Sequence, residues 1–110
     1  MWIELKDISK KYYEGDKKYI NRIFRNKEVG FELSVVSVYE GKMSSHMISL
    51  YSLKDTPAII KSIGPTKIKF FAENEKTAEE IIDYLKNSVN KDQPSFNEIY
   101  NSKYANFILE

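Results

Sequence analysis

The chain has 110 residues, 42% hydrophobic and 14% aromatic, with 17 Lys and Arg against 16 Asp and Glu. That length suits a single domain over residues 1–110, and the apolar share supports a packed core rather than a disordered chain. The lack of cysteine removes disulfides, thiolate nucleophiles and cysteine-based metal sites, and a net charge of +1 sets up no global field for polyanions.

The opening residues Met1-Trp2-Ile3-Glu4-Leu5-Lys6-Asp7 carry charge where a signal peptide needs an apolar run. No stretch reaches the roughly 20 apolar residues of a membrane span, so a cytoplasmic protein without membrane contact is expected. Residues 2–9 read as a first strand, with Ile3 and Leu5 alternating with Glu4 and Lys6. The run Ile3-Glu4-Leu5-Lys6-Asp7-Ile8-Ser9-Lys10-Lys11-Tyr12 resembles the opening strand of ATP-binding-cassette ATPase domains. The four glycines, at 15, 30, 41 and 64, build no GxxxxGK[ST] loop, so the resemblance ends before the phosphate site. No nucleotide or other cofactor is expected.

Lys10 to Asp16 form a charged, tyrosine-bearing loop, and Asp16 is placed to cap a helix over residues 17–27. Tyr19, Ile20, Ile23 and Phe24 fall on one face of that helix, and Gly30 follows its end. The rival reading is a strand through 18–24 paired with 9–14 across Glu14-Gly15-Asp16. Residues 31–53 read as a β-hairpin: Phe31, Leu33, Val35 and Tyr39 share one parity, and Glu40-Gly41-Lys42 makes the turn. Residues 56–64 are punctuated as a short helix, with Thr56, Pro57 and Gly64 as start and stop signals.

The stretch 66–89 anchors the fold. A strand from Ile68 to Ala72 passes a polar turn at Asn74 into a helix whose Thr77 and Glu80 have capping-box spacing. Ala78, Ile81, Ile82, Leu85 and Val89 make an apolar stripe along it. Ser95 and Glu98 repeat the capping spacing before a second short helix, and residues 106–109 suit an edge strand or a packed tail. The expected fold is therefore α+β, an antiparallel sheet covered by helices, with ferredoxin-like βαββαβ order and additional C-terminal helices. The rival reading of 9–24 gives instead an antiparallel meander backed by the 77–89 helix.

Chemistry is sparsely signalled. His46 is the only histidine, and it reads as a half-exposed strand residue rather than a triad member or metal ligand. Glu73, Glu75, Glu79, Glu80 and Asp83 lie where capping and the helix dipole already account for them. No metal site is expected. The stretch 10–27 gathers Lys10, Lys11, Lys17, Lys18, Arg22, Arg25 and Lys27 among Tyr12, Tyr13 and Tyr19, and on a helix Lys18, Arg22 and Arg25 would share a face. Tyr12, Tyr13, Tyr84, Tyr100 and Tyr104 exceed what such a core needs, and tyrosine is enriched at protein interfaces. The expectation is a small non-enzymatic accessory or regulatory protein that binds a protein partner, as an inhibitor or immunity-type protein of a mobile element does. Its binding residues would be Lys10, Lys11, Tyr12, Tyr13, Lys17, Lys18, Arg22 and Arg25. The alternative is a nucleic-acid-binding module using the same 10–27 stretch.

Overall fold

A computed structural model describes residues 1–53, 67–90 and 96–109. The expected helix over 56–64 and the cap at Ser95 lie outside the described residues. The chain enters through β1 (Ile3–Glu4) and then builds β2 (Lys10–Glu14), β3 (Lys17–Asn26), β4 (Phe31–Glu40) and β5 (Met43–Ser52). After these come β6 (Lys67–Ala72), helix α1 (Glu75–Ser88), helix α2 (Phe96–Tyr100), a 3-10 turn at Ala105–Phe107 and β7 (Ile108–Leu109).

The seven strands of the described residues join one sheet in the order β1-β3-β4-β5-β6-β7, with β2 alongside β1 on the same edge of β3. Every pairing is antiparallel. This corrects the ferredoxin-like, helix-covered expectation. The element after β1 is not a helix, and among the described residues α1 is the only helix longer than seven residues. The residues read as a helix over 17–27 form β3, ten residues paired along their whole length with β4.

The reason is local. Gly15 and Asp16 form a two-residue loop with Gly15 at φ 60°, and Gly41 repeats that conformation in the Gly41–Lys42 loop. Glycine reaches positive φ without the steric cost other residues incur, and such loops match the twist of the strands they join. The β2–β3 hairpin therefore closes locally. Its second strand is then zipped to β4 by cross-strand pairs, and helical spacing loses.

One face of the sheet carries Phe24, Phe31, Leu33, Val35, Ile48, Leu50, Ile68, Phe70 and Ala72, all buried. Onto it packs the apolar stripe of α1, with Ala78, Ile81, Ile82, Leu85 and Val89 each at 1% exposure or less. The helix starts one turn earlier than Thr77: Asn74 is the N-cap, its Oδ1 accepting from the Thr77 backbone N–H at 2.8 Å. Phe96 and Ile99 of α2 and Tyr104 close the core beside α1. At the helix C-terminus the Trp2 indole donates to the Val89 carbonyl at 3.2 Å, tying the first residues to the last turn of α1.

Candidate interaction surface

Strand alternation decides where the basic, tyrosine-rich stretch points, because successive side chains go to opposite faces. The register places Lys11 across from Ile20, and Tyr13 across from Lys18 and then Tyr39, on the side of α1. Lys10, Tyr12, Lys17 and Arg25 lie on the opposite side, with Tyr12 across from Tyr19. The eight residues expected to form one site are thus divided between two faces. Lys18 and Arg22 share a face, but Arg25 does not join them.

The two arginines are also engaged within the molecule. The Arg22 guanidinium meets Glu79 of α1 at 2.7 Å, so Glu79 is not a purely solvent-facing carboxylate. Arg25 donates through Nε to Glu32 at 2.8 Å, and the Tyr51 hydroxyl donates to the same carboxylate. Glu32 is 7% exposed in its side chain and Arg25 33%, so this network sits in the sheet surface rather than on it. Guanidiniums held this way are poor recruits for phosphate. Lys10, Lys11, Tyr12, Tyr13 and Lys17 are exposed at the sheet's distal corner, and the Tyr12 and Tyr19 rings stack at 4.8 Å.

No protein-family model, curated protein or solved structure matches this chain. The reading of the surface rests on its own geometry.

His46 is not half-exposed; it is 1% exposed, on β5 beneath the start of α1. Ser37, directly across on β4, lies 2.7 Å from Nδ1, and Ser44 lies 3.0 Å from Nε2. Burial lowers the imidazole pKa, opposed by the carboxylates of Glu75 and Glu79 and reinforced by Arg22. Tyr39 stands edge-on to the ring at 5.6 Å and donates to Glu75 at 3.2 Å. Burial and the adjacent Glu75 raise the Tyr39 pKa. With both nitrogens engaged and almost no solvent contact, the histidine joins two strands at the helix start.

Sequence reasoning missed the sheet face opposite α1. Tyr19, Ile23, Val36, Val38, Met47 and Phe71 are half-buried there. The register sets Asn21, Val36, Met47 and Phe71 in one cross-strand row, with Val38 and Tyr19 in the next. Lys10 and Lys17 stand at one end of this band and Lys67 and Lys69 at the other, all exposed. The signal was present in 31–53, where Val36, Val38 and Met47 fill the parity that a solvated face would give to charge.

Proposed function

We propose that the protein acts by binding another protein, as a small non-enzymatic accessory or regulatory factor in the cytoplasm. The contact surface is the sheet face opposite α1. The observation that carries this reading is the apolar cross-strand band on that face, bounded by lysines and met by no described helix. Recognition surfaces combine an apolar centre with aromatic residues and a charged rim, and Tyr19, Val36, Val38, Met47 and Phe71 with Lys10, Lys17, Lys67 and Lys69 supply both. An acidic rim on the partner would complement the lysines. The enclosed His46 and the intramolecular pairing of Arg22 and Arg25 favour this reading over hydrolysis and over nucleic-acid binding. Among the described residues, no helix is long and apolar enough to cross a membrane.

The test is site-specific photo-crosslinking in cells, with the probe at Met47 and, as a control, at Glu80 on the exposed side of α1. A discrete protein adduct from position 47 alone, lost on adding Val36→Lys, is the expected result. Equal adducts from both positions, or adducts to nucleic acid only, would remove the reading.

A further inference from the structure

The outer edge of β2 carries a self-complementary pattern. β2 pairs with β3 alone among the described strands, and its five residues are all exposed. An open edge presents unpaired N–H and C=O groups to any matching strand. Lysine commonly guards such edges, but here two lysines are followed by exposed apolar surface: Tyr12 is 50% and Tyr13 67% exposed.

Backbone geometry limits how a strand could add. The two-residue Gly15–Asp16 loop makes Glu14 and Lys17 a hydrogen-bonded pair, and the pattern alternates from there. Glu14, Tyr12 and Lys10 therefore turn their backbone groups inward to β3, while Lys11 and Tyr13 turn theirs outward. A second copy of β2, laid antiparallel, must match outward residues with outward residues. The two-fold axis then passes at Lys11, Tyr12 or Tyr13. At Lys11 it opposes two like charges. At Tyr13 it sets Lys11 against Gly15 and Tyr12 against Glu14. At Tyr12 every pair is favourable. Lys10 faces Glu14 of the second copy, Lys11 faces its Tyr13, Tyr12 meets Tyr12, and symmetry repeats each contact.

We propose that two copies of this chain join edge to edge through β2, with the two-fold axis at Tyr12. The outward groups of Lys11 and Tyr13 then form the new ladder, and the two sheets become one. Such a dimer keeps both copies of α1 on the same side. It also places the stacked Tyr12–Tyr19 pairs of the two copies in a continuous row on the opposite face. The inference goes beyond the binding reading above and does not depend on it, since Val36 lies two strands and Met47 three strands away from this edge.

Sedimentation equilibrium of the full chain, taken up to about 1 mM because an edge contact is a small interface, tests the pairing. The expected mass rises from one chain towards two with concentration. Lys10→Glu and Glu14→Lys each oppose like charges twice across the axis, so each alone weakens association by about tenfold or more. Mixed in equal amounts, the two variants regain association, because every acidic residue of one now faces a lysine of the other. The double variant K10E/E14K regains it alone. Both positions are exposed, and thermal melts matching the parent confirm that folding is intact. A parent mass of one chain at every concentration overturns the proposal. So does a K10E chain that associates as the parent does, or a mixture that fails to associate.

Discussion

At the scale of single residues, His46 shows how a titratable group becomes a structural one. Its imidazole lies between Ser37 and Ser44 and has almost no contact with water. Burial lowers its pKa in the folded chain below the ordinary value of 6.5, so the unfolded chain binds the proton more readily. Stability is then fully present above pH 6.5 and is lost as pH falls through that value towards the lower folded pKa. Denaturant midpoints measured from about pH 8 to about pH 5 should fall in the parent chain. In His46→Gln, which keeps a donor and an acceptor for the serines, the slope should flatten over the same window. A slope unchanged by the substitution would place the sensitivity elsewhere.

The Arg25–Glu32 pair gives a second residue-scale prediction, because its partners are unequally buried. Removing Arg25 strands a carboxylate of 7% exposure, with only the Tyr51 hydroxyl left to it, whereas removing Glu32 leaves a guanidinium that is 33% exposed and can turn to water. A buried polar group left unsatisfied costs about 1–3 kcal/mol, while a half-exposed one loses well under that. Arg25→Met should therefore lower the unfolding free energy in urea more than Glu32→Gln does. Equal losses would mean that the two groups share their burial more evenly than the side-chain exposures indicate.

At the scale of elements, legibility in the sequence followed how one-sided each element is. α1 was readable because its stripe meets core on one side only, and all five stripe residues are buried. The β4–β5 hairpin was readable because its turn glycine and one parity agree. β3 was misread because both of its parities carry apolar residues: Ile20 and Phe24 towards α1, Tyr19 and Ile23 away from it. A strand with no polar side has no period-two signal, and its aromatic and β-branched residues fell by chance at helical spacing. Correct placement of β3 needed its partners, which lie in β2 and β4. The common face expected for Lys18, Arg22 and Arg25 is lost for the same reason, since the three lie together only on a helix. Two substitutions probe these elements. Leu85→Ala empties a fully buried position under α1 and should cost about 2–5 kcal/mol in chemical denaturation. Gly41→Ala meets no neighbouring atom within 4 Å, yet must hold φ near 60°, so its cost of about 1 kcal/mol is backbone strain alone. A neutral Gly41→Ala would show that the turn relaxes to another type.

At the scale of the whole molecule, charge is sorted by the fold more than by the sequence. Residues 1–28 hold 8 Lys and Arg against 5 Asp and Glu, and residues 72–92 hold 3 against 6. In the chain this looks like a basic pole and an acidic one. Folding lays the acidic helix over one side of the basic strands, so that Glu79 meets Arg22 and Glu75 reaches Tyr39 beside Lys18. What survives on the basic stretch is two lysines on each face at its distal corner, Lys11 and Lys18 towards α1 and Lys10 and Lys17 away from it, with Lys17 paired to Glu40 at 3.7 Å, and Lys27 alone at the other end of β3. This sets a quantitative limit on nucleic-acid binding. Single strands release about 0.7 counterion per phosphate neutralised, so the seven cations of 10–27 acting together would give a logarithmic salt slope of about −5. With both arginines engaged and the lysines divided by the sheet, one strand can meet about two cations of this stretch, for a slope near −1.4. Titration of labelled single-stranded RNA across a salt series should therefore show weak binding with that shallow slope. A slope close to −5 would require Arg22 and Arg25 to leave Glu79 and Glu32 and both lysine pairs and Lys27 to reach one strand. The site would then be nucleic acid's, and the lysine-rimmed face opposite α1 would lose its claim as the primary contact.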